Sequence, residues 1–140
     1  MPKDRGLVFK KQRNYCFVCG ESNREGLRLV FQYDPEVKKT TCIVRIPSRY
    51  QGATGFAHGG IIATLLDEAM AKVNGKGGIR AVTLRMTVKF RKMVPVKTPL
   101  DLVGQRVARK GRKIYLRSEL RAGSTLLAEA KGLFLEVARV

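Results

Sequence analysis

The residues whose types and spacing could do chemistry crowd into one stretch, Gln51-Gly52-Ala53-Thr54-Gly55-Phe56-Ala57-His58-Gly59-Gly60, followed by Leu65-Leu66-Asp67-Glu68. A Gly-Gly pair opening a helix leaves backbone N–H groups free at its positive end, where they can polarise a carbonyl or hold an oxyanion. Without a Cβ, glycine also lets a ligand approach the backbone closely. Asp67 and Glu68 lie about 100° apart around such a helix and cannot serve one point. Glu68 has Lys72 four residues on, a surface ion-pair spacing. Asp67 instead neighbours Ala63, Met70 and Ala71, and an acid in an apolar setting has either a partner or a job. A catalytic carboxylate and a structural, hydrogen-bonded one both fit. His58 could act as a base, although a histidine at a helix entrance more often ties the loop by hydrogen bonds.

Other arrangements fail. No G-x-S-x-G is present, so there is no nucleophile elbow. Gly75-Lys76-Gly77-Gly78 lacks the spacing and the Ser/Thr of a phosphate-binding loop. A single histidine excludes any mechanism that needs two. Of the 3 cysteines, Cys16 and Cys19 form a C-x-x-C and Cys42 stands apart. Zinc normally takes four ligands, and the other plausible donors are Cys42 and His58. A redox pair belongs at the start of a helix beside a strand, which residues 15–20 do not resemble. The expectation is therefore a half-buried pair of small apolar residues, with no metal and no cofactor. An odd cysteine count without a signal fits a reducing compartment and hence the cytoplasm.

These residues must be positioned by one domain, since 140 residues are too few for two ordinary ones. Hydrophobic residues make up 44%, enough for a packed core. No run approaches the roughly 18 apolar residues of a membrane span. Residues 1–13 are basic without an apolar stretch, which argues against a secretory signal. With 28 Lys+Arg against 11 Asp+Glu the net charge is +17, so the molecule attracts polyanions. Denser basic spots lie at residues 10–13, 89–92 and 106–113. Nucleic acid is one partner this charge would suit, but aromatics reach only 7% and no RNA-binding signature is present. A small phosphorylated ligand such as a nucleotide or coenzyme A is another.

Periodicity supplies the elements. Residues 1–26 lack it and read as a leader or cap. Alternation predicts strands over 27–33 and 41–46, then a loop over 47–57. Ile62, Leu66, Ala69 and Val73 form an apolar stripe that predicts a helix over 59–74, ended by Gly75, Gly77 and Gly78. Over 80–90 the even positions Val82, Leu84, Met86, Val88 and Phe90 form the apolar face of a strand, with Thr83 on the other. Residues 100–109 and 113–121 form a hairpin turning at Lys110-Gly111-Arg112. In a last strand Leu126, Ala128, Ala130 and Gly132 share a face small enough to receive the helix. The result is an α+β domain, a curved antiparallel sheet of about six strands around one helix. One helix covers one face, so a partner subunit is expected over part of the rest.

Phe56-Ala57-His58-Gly59-Gly60, a helix, then Leu66-Asp67-Glu68 resembles the motif of hot-dog-fold acyl-CoA thioesterases. The branch is the phenylacetate-degradation-like one with its animal acyl-CoA thioesterase relatives, within the 4-hydroxybenzoyl-CoA thioesterase superfamily. Cys16-Phe17-Val18-Cys19-Gly20 leading to Gly26-Leu27 is similar to the opening segment of many of these proteins. The resemblance implies one hot-dog domain over 1–140, assembled as a homodimer or dimer of dimers, hydrolysing an acyl- or aryl-CoA thioester. It puts the catalytic carboxylate on Asp67 and the carbonyl-polarising amide on Gly59, with Gly60 beside it. Thr83 falls where related enzymes position water or the carboxylate, and it also reads as an ordinary strand threonine. Some relatives carry Asn where this chain has Gly52, and the adjacent Gln51 is a substitute. The CoA phosphates would meet Arg91 and Lys92, and Arg109, Lys110 and Arg112, each of which also reads as a solvated basic residue. Competing readings are a non-catalytic acyl-CoA-binding or regulatory module, a nucleic-acid-binding protein and, more weakly, a hydratase.

Overall fold

The computed structural model describes residues 13–137. Residues 1–12 of the leader, with the basic Lys10 and Lys11, and residues 138–140 lie outside the described residues. The element order is β1 (Gln32–Asp34), β2 (Lys39–Val44), a 3-10 turn (Ser48–Tyr50), α1 (Gly59–Lys76), β3 (Ala81–Phe90), β4 (Leu100–Lys110), β5 (Lys113–Ala122) and β6 (Thr125–Glu136). The six strands form one antiparallel sheet in the order β1-β2-β4-β5-β6-β3, which leaves β1 and β3 as edges. The sheet wraps α1, which is the hot-dog arrangement the resemblance implies. Among the described residues no helix is long and apolar enough to cross a membrane.

Helix α1 buries Ile62, Leu65, Leu66, Ala69, Met70 and Val73 against Val44, Leu102, Leu116, Leu120, Ala128 and Phe134. Two glycines let it approach the sheet. A Cβ on Gly104 would sit 2.1 Å from the Ala69 carbonyl oxygen, and one on Gly132 would sit 3.0 Å from Met70 Sδ. The buried Thr40 hydroxyl donates to the same Ala69 carbonyl at 2.8 Å, so the helix rests on the sheet through backbone as well as side chains. The helix runs past Gly75 to Lys76 and stops where Gly78 takes a φ of 79°. A helix yields to a left-handed residue, not to a glycine as such.

Two strands differ from their sequence pattern. Of residues 27–33 only 32 and 33 join β1. The N–H groups of Leu27 and Leu29 donate instead to the carbonyls of Phe17 (2.8 Å) and Val18 (2.9 Å), and Arg28 takes a φ of 53°. The alternation there records the leader closing on itself with its apolar side against the core. In β3 a bulge between Thr83 and Arg85 leaves Leu84 unpaired, because Thr83 lies across from Phe134 and Arg85 from Leu133. Cross-strand partners share a face. Thr83 therefore points inward beside the buried Phe134, while beyond the bulge Met86 and Val88 point inward beside Gly132 and Ala130. The even-numbered face expected for this strand holds only after the bulge.

Candidate active site

The loop before α1 is built by short-range bonds. Gln51 Oε1 accepts from the Gly55 N–H at 3.0 Å, Gly52 N–H donates to the Phe56 carbonyl at 2.8 Å, and Gln51 bridges to Ala57. Gly55 sits at a φ of 86°, which favours glycine. His58 follows as the N-cap, its Nδ1 accepting from the Gly60 N–H at 2.9 Å and its carbonyl from Ile61 and Ile62. Gly60, Ile61 and Ile62 are thereby satisfied. Among the described residues the Gly59 N–H alone of this first turn finds no acceptor.

Gly59 opens on a cleft of about 360 Å³ lined by Phe56, Ile62, Phe90, Arg91 and Lys92. A Cβ at Gly59 would meet the Phe90 ring at 3.7 Å, so the missing side chain keeps the amide open to that cleft. The expected residues Gly59, Arg91 and Lys92 come together here. Gln51, His58 and Gly60 line a separate cleft of about 400 Å³ with Tyr50 and Thr64.

Asp67 is half-buried on α1, and its Oδ1 accepts from the Thr83 hydroxyl at 2.9 Å. The bulge makes this bond, since it turns Thr83 toward the helix. The single-residue departure in the ladder lies outside what period-two alternation can reveal. Eight residues of helix separate Asp67 from Gly59, about 12 Å along the axis at 1.5 Å per residue. Within one chain the carboxylate and the free amide address different points.

The basic residues form two groups. Arg91, after β3, pairs with Glu129 at 2.7 Å, and Lys92 is exposed next to it. At the β4–β5 turn Arg109 pairs with the Glu136 carboxylate and Arg112 Nε donates to the Glu136 carbonyl at 3.0 Å, with Lys110 exposed beside them. The first group borders Phe90, opposite Ala128, and the second borders Ala81, opposite Glu136. Nine strand steps separate those ends, about 30 Å. One chain does not gather both groups on one ligand.

Cys42 and His58, the other donors a zinc site would have needed, do not lie beside the C-x-x-C. Cys42 is buried on β2, where burial pushes its thiol up from the ordinary value, and His58 is occupied as the cap. Glu68 takes their place. Its Oε1 lies 3.9 Å from Cys16 Sγ, which donates to it. Burial first, and then the hydrogen bond and charge of Glu68, push the Cys19 thiol up to about 11. Sequence reasoning set Glu68 on the solvent side beside Lys72, because its partners lie some fifty residues away in a segment without periodicity.

The model of the thioesterase superfamily matches residues 54–129. Among curated proteins the chain is 31% identical over 117 residues to acyl-coenzyme A thioesterase THEM5 of Mus musculus, covering 81% of this chain and 46% of the relative. To THEM5 of Homo sapiens it is 26% identical over 137 residues, covering 94% and 56%. The chain thus spans about half the length of the curated relatives it matches. A crystal structure of a thioesterase superfamily protein superposes with a TM-score of 0.80 at 27% identity, covering 88% of this chain and 63% of that one. A Streptococcus mutans protein bound to acetyl CoA shares the fold with a TM-score of 0.70 at 21% identity, over 79% of this chain and 87% of its own.

Proposed function

This chain belongs to the thioesterase superfamily, and on that premise we propose that it hydrolyses acyl-CoA thioesters at a site completed by a second copy of itself. The relatives named acyl-coenzyme A thioesterases support the reaction class, and the acetyl CoA bound by the Streptococcus mutans neighbour supports the ligand. The observation that carries the reading is the pairing of a free helix-end amide at Gly59 with a carboxylate at Asp67 fixed by Thr83. The amide polarises the thioester carbonyl and stabilises the developing oxyanion. Asp67 activates water or attacks the carbonyl carbon directly. Thr83 and His58 are positioning residues, one for the carboxylate and one for the first helical turn.

The 12 Å gap closes in a dimer. β3 is an edge with an unused ladder side, and Leu84 (51% exposed), Phe90 (56%) and Met93 (60%) leave apolar surface along it. Antiparallel pairing of two β3 edges about an axis between Met86 and Thr87 sets Thr83 opposite the partner's Phe90. Asp67 bonds Thr83 and Gly59 abuts Phe90, so each carboxylate then meets the other protomer's helix end. The same pairing brings the turn containing Arg109, Lys110 and Arg112 of one protomer toward Arg91 and Lys92 of the other, a basic rim for CoA phosphates. Three free cysteines fit a reducing, cytoplasmic setting.

The test is thiol release from a panel of short, medium, long and aryl acyl-CoAs by the wild type and Asp67→Asn. Turnover that falls by about 10³-fold or more in the variant, with folding intact, is the expected result. CoA binding without thiol release on any substrate would transfer the site to a non-catalytic binding module.

A further inference from the structure

We infer that Cys16, Cys19 and Glu68 form a site for one thiophilic divalent cation, Zn²⁺ by the softness of the donors, and that the bound ion staples the leader to helix α1. Two sulfurs and a carboxylate oxygen lie within 4.8 Å of one another, all three side chains half-buried. Around a tetrahedral Zn²⁺ with Zn–S about 2.3 Å and Zn–O about 2.1 Å, ligand atoms sit about 3.6–3.8 Å apart. The Cys16 Sγ to Glu68 Oε1 distance of 3.9 Å is already close to that.

The turn carrying the cysteines is shaped for such an ion. Gly20 N–H donates to the Cys16 carbonyl at 2.8 Å, and a Cβ on Gly20 would lie 2.4 Å from the Cys16 nitrogen, so the Cys-x-x-Cys-Gly curl needs glycine there. The curl aims the Val18 N–H at Cys16 Sγ (3.4 Å), while Asn14 Nδ2 donates to Cys19 Sγ at 3.7 Å. N–H donors on sulfur are what a metal-bound thiolate draws from its surroundings, and they orient the ligands. Cys19 also lines a cleft of about 510 Å³ with Asn14 and Lys72, which gives an ion access and a fourth, water ligand room.

The charges balance. Uptake of Zn²⁺ releases the two thiol protons and leaves two thiolates, one carboxylate and a dication, net −1, with no change of oxidation state. Lys72, which lines the same cleft as Cys19, supplies the compensating cation. The ion would link residues 16–19 to the residue that follows Asp67, without itself meeting the substrate.

The experiment uses the full chain, reduced and stripped by a chelator, titrated anaerobically with ZnCl₂ and with CoCl₂. One equivalent should bind. Cobalt should show thiolate-to-metal charge-transfer absorption with tetrahedral visible bands, and zinc should raise Tm. Glu68→Gln should weaken uptake by at least about tenfold while keeping the charge-transfer band. Cys16→Ser and Cys19→Ser should lose that band, and Asp67→Asn should bind as wild type whether or not it is an enzyme variant. An octahedral cobalt spectrum without a thiolate band in the wild type would overturn the proposal, as would zinc uptake that leaves Tm unchanged. The wild-type spectrum decides the matter even if a cysteine variant does not fold.

Discussion

At the scale of single residues, the positioning roles proposed for Thr83 and His58 have separable signatures. Thr83 holds one oxygen of Asp67 through a single hydroxyl, so Thr83→Val removes the bond at nearly constant volume while Thr83→Ser keeps it. A misaimed carboxylate loses rate without losing ground-state affinity, so kcat should fall about 10–100-fold in the valine variant with KM little changed. The serine variant should stay near wild type, and equal losses in both would make Thr83 a packing residue. His58 accepts from Gly60 through Nδ1. His58→Ala should cost about 1 kcal/mol in denaturant unfolding, the usual worth of an N-cap. His58→Asn restores a cap and should restore both stability and activity, an outcome a catalytic base would not allow. The helix start at His58-Gly59-Gly60 and the place of Asp67 on that helix were legible in the sequence because both are local to one element. Thr83 beside the carboxylate followed from the resemblance and not from alternation, because a one-residue bulge decides which way Thr83 faces. The Glu68–cysteine cluster was not legible, because its two halves are remote in sequence.

At the scale of elements, contact between α1 and the sheet is the tightest constraint. The space for a Cβ on Gly104 is taken by the Ala69 carbonyl at 2.1 Å, and backbone cannot move aside as a flexible side chain can. Gly104→Ala should therefore destabilise by about 3 kcal/mol or more, read as a shifted denaturant midpoint. A midpoint within error of wild type would mean that helix and sheet are less closely apposed. Element order, the helix start and the hairpin at Gly111 followed from alternation, stripe and turn chemistry, since each rests on contacts between near neighbours. The stretch over 27–33 failed for the opposite reason. Its alternation satisfies the core, but its hydrogen bonds go to Phe17 and Val18, and a pattern of apolar residues does not record where the backbone pairs. The β3 edge supplies its own test, because charge on an unpaired ladder side blocks pairing. Leu84→Lys should leave a folded chain of half the mass in sedimentation, with thiol release reduced in proportion to the dimer lost. Full activity from a monomer would remove the need for a partner's helix end.

For the whole molecule the governing fact is a charge of +17, which a short-range inventory of ion pairs does not use up. If the basic rim receives CoA phosphates, the attraction acts between partly exposed charges and is screened within about 8–10 Å at physiological salt. Raising ionic strength should then raise KM for an acyl-CoA while leaving kcat nearly constant, since the phosphates lie away from the carbonyl that reacts. A pantetheine thioester with the same acyl group has no phosphate of the nucleotide end, so its KM should be higher at low salt and almost flat with added salt. If the proposed dimer forms, Lys92→Glu, at one end of β3, and Lys110→Glu, at the other, should each lower the salt slope for acyl-CoA, because the two ends would meet only across its twofold. If the slope instead responds to Lys92→Glu alone, the phosphates are held within one protomer. If neither changes it, the surplus charge serves a polyanion other than the substrate, and salt-dependent affinity for nucleic acid becomes the quantity to measure.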